Sequence, residues 1–107
     1  MMRGNGMAVK QWASTQLDAA AGSQTVTVSL PAGQVGRPVK LKAGGAVNAL
    51  VTLTYGNNSQ ISAIVNPNAA PDVVDIPASG FPAATNSVTL TVNASAAGYV
   101  TISVGFV

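Results

Sequence analysis

The sequence predicts an all-β fold, an antiparallel β-sandwich of about seven or eight short strands with jelly-roll or immunoglobulin-like topology. Three observations predict it. Apolar and polar residues alternate over several stretches, which is the period of a half-buried strand. Gly, Pro and Asn separate these stretches at regular intervals. Strands do not alternate with helices along the sequence, and that alternation is the pattern that would indicate a parallel sheet.

The N-terminal residues predict an arm that precedes the folded domain. Two Gly and an Asn fall within the first ten residues, so we expect residues 1–13 to form the arm and residues 14–107 the sandwich. Residues 11–22, QWASTQLDAAAG, fit either a helical turn stopped by Gly22 or a strand followed by a loop. We favour the strand because the pattern that follows is β.

The alternation is clear from Gln24 onward, where Val26, Val28 and Leu30 share one face of a strand. The turns expected between strands include Gly44-Gly45 and the segment 56–58. Residues 47–65 and 87–107 each predict a hairpin. The predicted strands from this point are Gln24–Leu30, Val39–Lys42, Val47–Tyr55, Ser59–Val65, Asp72–Ile76, Ser87–Asn93 and Tyr99–Val107.

The residue types that most enzymes and metal sites need are missing. The chain of 107 residues has no His, Cys or Glu, and 7% of its residues are charged, against about 25% in ordinary domains. Its serines therefore have no histidine base, and no phosphate-binding loop is present. Asp72, Asn66 and Asn68 fit either a calcium site or a solvated loop. We favour the solvated loop. We expect no enzyme, no cofactor and no metal.

The few charges argue against nucleic acid, and the lack of a long apolar run argues against a membrane span. The net charge is +2, and Arg37, Lys40 and Lys42 form the one cluster of cations. Binding to nucleic acid usually requires more cations with interleaved aromatics. The cluster either meets an acidic partner or protects an exposed strand edge, the reading that we favour. No apolar run reaches about 18 residues, and none follows Arg3 as in a signal peptide.

Four of the aromatic residues divide into two groups. Tyr55 and Phe106 continue inward-facing registers and predict core positions. Trp12 and Phe81 lie outside clear strands, so each either anchors in a neighbouring subunit or packs locally. The candidate partner-binding residues are Met7, Val9, Trp12, Arg37, Lys40, Lys42 and Phe81.

The stretch Thr25–Gln60 resembles a module of bacteriophage virion proteins, in particular head-decoration and fibre components. This stretch covers about a third of the chain, and the matching residues within it are Leu30-Pro31-Ala32, Gly36, Val39–Lys42 and Val51–Thr54. The resemblance implies a structural subunit, often trimeric, that is displayed on a virion.

The expected function is therefore that of a capsid decoration or cement protein, assembled in the host cytoplasm and located on the virion. It would bind the major capsid protein or other virion proteins, as a homo-oligomer with a trimer favoured. Neutral Ser and Thr faces support this expectation, because they cost less to desolvate than charged faces. The alternative is a tail or fibre receptor-binding module that recognises glycans. Aromatic residues, tested at Tyr55 and Phe81, and Asn in the loops Gly56–Asn58 and Pro77–Asn86 would carry that recognition.

Overall fold

The protein is an all-β sandwich of eight antiparallel strands, as the sequence predicts. The computed structural model describes residues 9–55, 58–77, 80–81 and 83–107. No helix of these residues is long and apolar enough to cross a membrane. The strands are β1 (Gln11–Ala19), β2 (Gly22–Ser29), β3 (Pro38–Gly45), β4 (Ala49–Tyr55), β5 (Ser59–Val65), β6 (Asp72–Asp75), β7 (Ser87–Ala94) and β8 (Gly98–Phe106).

The strand order identifies the topology. Sheet I has the order β1-β8-β3-β6, and sheet II has the order β2-β7-β4-β5. Two four-stranded sheets in this order form an eight-stranded jelly roll. An immunoglobulin-like sandwich would instead pair the first strand with the second in one sheet. Of the two predicted topologies, the strand order therefore selects the jelly roll.

The chain passes from one sheet to the other at every connection except the one between β4 and β5. The hairpin predicted for residues 47–65 is confirmed, with Leu53 opposite Ile61. The hairpin predicted for residues 87–107 is wrong. Strand β7 pairs with β2 and β4, whereas β8 pairs with β1 and β3. Alternation places apolar residues toward the interior but does not specify which strand lies alongside.

The apolar faces of the two sheets form one core. Strand β8 contributes Val100, Ile102, Val104 and Phe106, all fully or almost fully buried. Their period of two follows from the pleat, which directs successive side chains to opposite faces. The other fully buried large side chains are Leu41, Leu53, Leu90, Val28, Val51, Val65, Val92 and Pro38.

Two predicted boundaries need correction. Strand β1 begins at Gln11, and Ala13 is buried in the core, so residues 11–13 belong to the sandwich and not to the predicted arm. Residues 1–8 of that arm lie outside the described residues. Gly44 and Gly45 continue β3 opposite Thr101 and Val100, so they are not a turn. Glycine is required there because neighbouring backbone and side chains approach the strand closely.

Candidate functional site

The outer face of sheet I brings together several of the predicted partner-binding residues. Alternate residues of β1, β8, β3 and β6 point away from the core, and the register places them in rows. One row runs Trp12, Gly105, Lys40, Asp75, and the next runs Ser14, Ser103, Lys42, Val73. Trp12 and Lys42 are thus neighbours on one surface, although 29 positions separate them in the sequence.

Trp12 and Val9 cover the end of this face nearest Gly105. A Cβ atom added to Gly105 would lie 2.7 Å from Val9 Cγ2 and 3.3 Å from Trp12 Cη2. The Lys42 Nζ lies 6.0 Å from the centroid of the Trp12 ring, within the range of a cation–π contact. The indole nevertheless keeps 44% of its surface exposed. Trp12 is therefore held in place but remains accessible to a partner.

The three clustered cations do not form one basic patch. Lys40 is paired with Asp75 on β6. Arg37 precedes β3 at the end of the sandwich, where its backbone N–H donates to the Val107 carbonyl. The interpretation of Lys40 and Lys42 as protectors of an exposed edge is wrong, because β3 lies between β8 and β6 and is not an edge strand.

A cleft of about 360 Å³ opens beside Lys42 on the same face. Thr101 and Ser103 of β8 lie along its floor, and Tyr99 flanks one end. Its other lining residues are Lys42, Gly44, Gly45, Pro67, Ala69 and Pro71. The cleft therefore combines hydroxyl groups, one ammonium group, one aromatic ring and apolar walls.

The glycines of β3 allow the residues that border this cleft to approach the strand closely. A Cβ atom on Gly44 would lie 3.1 Å from Pro71 Cγ, so the loop before β6 leans over the bare backbone of β3. A Cβ atom on Gly45 would collide with the carbonyl oxygen of Tyr99. Side chains at these positions would displace the wall and the aromatic residue that border the cleft.

Tyr99 is the residue of this face to which sequence reasoning gave no role. It lies opposite Asp18, at the end of β8 distant from Trp12, and 48% of its surface is exposed. The signal was present in the alternation of β8. Because Val100 and Ile102 point inward, Tyr99 must point outward.

Phe81 occupies a different part of the molecule. Its ring centroid lies 6.2 Å from that of Tyr55, and both side chains are partly buried against the core. They thus pack on each other, which reduces the surface that either ring offers to a sugar. Met7 lies outside the described residues, as do positions 56 and 57 of the loop beside Tyr55.

The carboxylates do not assemble a metal centre in the part of the chain that the structure describes. No group of three or more His, Cys, Asp or Glu residues lies close together there. The Asp72 Oδ2 accepts a hydrogen bond from the Ile64 N–H at 2.9 Å, and the Asn66 Oδ1 accepts one from the Asn68 N–H. These two oxygens thus accept backbone hydrogen bonds, one near the end of β5 and one in the loop that follows it. Asp75 lies on the opposite face of β6 from Asp72, because the two are three positions apart in the strand.

The outer face of sheet II is uncharged. Thr25, Thr91 and Thr52 form one row across β2, β7 and β4, and Thr27 lies opposite Thr89 in the next. Hydroxyl groups of neighbouring strands meet, with 3.3 Å between Thr27 Oγ1 and Thr89 Oγ1. Leu50 and Ile64 form an exposed apolar corner of this face.

Strand β2 differs from the other three edge strands. On the edge of β5, the Ile64 N–H donates a hydrogen bond to the Asp72 carboxylate. Strand β6 has four residues, of which two are Asp. The edge strand β1 contains Asp18. Strand β2 has eight residues, none of them charged and none a proline. Among the edges that the structure describes, β2 alone has no feature that usually deters pairing with another strand.

No protein-family model matches the chain. No curated protein matches it either. The similarity of Thr25–Gln60 to virion modules therefore stays a prediction.

Proposed function

We propose that this protein is a structural subunit of a virion, a decoration or cement protein that stabilises the particle by bridging neighbouring chains. It binds the major capsid protein or another virion protein and associates with further copies of itself, with a trimer favoured. The resemblance of Thr25–Gln60 to head-decoration and fibre modules supports the virion, and the surface supports association with other chains.

The observation that carries this proposal is the unprotected edge of β2. Within the described residues this strand pairs only with β7, so backbone N–H and C=O groups along its other side have no strand partner. Such an edge readily accepts a strand from another chain. Proteins that remain monomeric usually block an edge of this length with Lys, Pro or a bulge.

The neutral face next to this edge supports the same role. Thr25, Thr27 and their neighbours on β7 are exposed and carry no charge. A hydroxyl group costs less to remove from water than an ion, and it recovers part of the cost by hydrogen bonding across the interface. An incoming chain therefore covers this part of the surface without an unpaired charge.

The fold is compatible with this role, by analogy alone. Jelly rolls of two four-stranded sheets are used in viral capsid proteins and also in lectins. Fold does not specify function. The β2 edge and the resemblance therefore support the assembly role, and the topology does not add to them.

The test compares two threonines of the same outer face. Thr27→Lys adds a charge to the β2 edge, whereas Thr91→Lys adds the same charge to the inner strand β7. Light scattering after size-exclusion chromatography measures the oligomeric state. Co-sedimentation measures binding to virions assembled without this protein. We expect the wild-type chain to associate and to bind the particles, and Thr27→Lys to weaken both by about tenfold or more.

The control variant sharpens the result. If the β2 edge alone makes the contact, Thr91→Lys should bind the particles like the wild type. If the whole outer face makes the contact, Thr91→Lys should lose binding as Thr27→Lys does. A wild-type chain that stays monomeric and does not bind the particles overturns the proposal. Particle binding that survives Thr27→Lys unchanged leaves the assembly role standing but refutes the β2 edge as its site.

A further inference from the structure

We propose that the cleft on the outer face of sheet I binds a neutral oligosaccharide, with one sugar ring stacked on Tyr99. This inference goes beyond the assembly role and does not rest on it. It also places sugar recognition on a surface distinct from the Tyr55–Phe81 pair.

The cleft has the dimensions of a ligand site. Its volume of about 360 Å³ falls within the range of about 300–1,000 Å³ that is usual for small-molecule pockets. Pro71 and Pro67 form a wall that needs little ordering on binding, because proline has few conformations to lose. Gly44 allows Pro71 of this wall to lie against the backbone of β3.

The lining matches the two chemical faces of a sugar. The C–H groups on one face of a pyranose ring contact the negative face of an aromatic ring favourably, and Tyr99 offers such a ring. Sugar hydroxyls need both donors and acceptors. Ser103 and Thr101 supply hydroxyls that act as either, and Lys42 supplies an ammonium donor.

The spacing of the exposed aromatics favours a chain of sugars over a single one. Trp12 lies opposite Gly105, and Tyr99 lies six positions earlier on β8. At about 3.4 Å per residue these two positions are roughly 20 Å apart along the strand. The surface between them carries Ser14 and Gln16, so a ligand that spans both rings crosses a polar path.

The charges of the face favour an uncharged ligand. Within its four strands the outward-facing charged residues are two lysines, Lys40 and Lys42, and two acids, Asp18 and Asp75, which balance. Lys40 is already paired with Asp75. A sulfated or phosphorylated ligand would need more cations than Lys42 alone.

The experiment is a glycan array followed by calorimetry on the intact chain. The probes are hexasaccharides of β-1,4-linked glucose, α-1,4-linked glucose and β-1,4-linked N-acetylglucosamine, with heparin as the charged comparison. We expect at least one neutral probe to bind and heparin not to bind. Tyr99→Ala should weaken that binding by about tenfold or more, because the stacked ring is lost.

Two further variants separate loss of the site from loss of the fold. Ala69→Trp fills the cleft from its exposed wall and should also abolish binding. Leu50→Ala removes an exposed apolar side chain from the other sheet and should leave binding unchanged. The melting temperature of each variant reports on folding. Absence of binding to every neutral probe, binding that persists in Tyr99→Ala and Ala69→Trp, or binding of heparin alone overturns the proposal.

Discussion

Trp12 lies directly opposite Gly105 in the antiparallel pairing of β1 with β8. The absence of a side chain at Gly105 allows Val9 and the indole to lie over the strand. The first described residues of the chain are thereby attached to its last strand. The same contact fixes where Trp12 is displayed on the outer face of sheet I.

We predict that Gly105→Ala destabilises the fold by about 1–3 kcal/mol and displaces the indole, because the added Cβ would lie 2.7 Å from Val9 Cγ2. Thermal unfolding measures the first effect and Trp12 fluorescence the second. Combining Gly105→Ala with Val9→Ala removes the closest contact and should recover most of the lost stability. Equal losses in the single and double variants would contradict this explanation.

A pair of leucines tests the distinction between the core and the outer face. Leu90 of β7 is buried at 1% exposure, whereas Leu50 of β4 is 41% exposed. Leu90→Ala should cost about 2–5 kcal/mol of unfolding free energy, because it leaves a cavity. Leu50→Ala should change it by about 0.5 kcal/mol or less. Chemical denaturation measures both, and similar losses in the two variants would refute the assigned strand faces.

The alternation of apolar and polar residues predicts much of this fold but little of its strand order. The pattern that begins at Gln24 correctly predicts which side chains of β2 face the core. It does not distinguish a hairpin from two strands in different sheets, because both place β7 and β8 residues inward. Partner choice depends on contacts between strands distant in the sequence, such as β1 with β8.

The candidate site was predictable in part for the same reason. The sequence indicates Trp12 and Lys42 separately as candidate partner-binding residues. Their proximity depends on β8, which lies between β1 and β3. Gly44 and Gly45 resemble a turn in sequence, and only Pro71 and Tyr99 show why glycine is needed within the strand. Tyr99 was readable from its outward register alone.

Asn86 organises the connection between β2 and β3. Its Nδ2 group donates toward the carbonyl oxygens of Leu30, Pro31 and Gln34, at 3.2, 3.1 and 2.7 Å. Asn86→Ala should cost about 1–3 kcal/mol, because the part-buried Leu30 carbonyl and two exposed carbonyls lose their donor. Asn86→Asp should cost at least as much, since a carboxylate only accepts hydrogen bonds. Denaturation at neutral pH measures both variants, and an aspartate variant as stable as the wild type would contradict the role.

Asp72 protects the edge of β5 through one hydrogen bond, in which the Ile64 N–H donates to its Oδ2 atom. Asp72→Ala should leave that N–H to solvent and speed its hydrogen exchange, whereas Asp72→Asn keeps an oxygen acceptor at the same place and should largely preserve protection.

Asp75→Asn is the matched control on the opposite face of β6. It breaks the exposed pair with Lys40, and such pairs contribute about 0–1 kcal/mol. Residue-resolved exchange by NMR measures the Ile64 amide in all three variants. Two results would show that something other than this carboxylate protects the β5 edge. One is faster exchange of the Ile64 amide in Asp75→Asn, and the other is an unchanged exchange rate of that amide in Asp72→Ala.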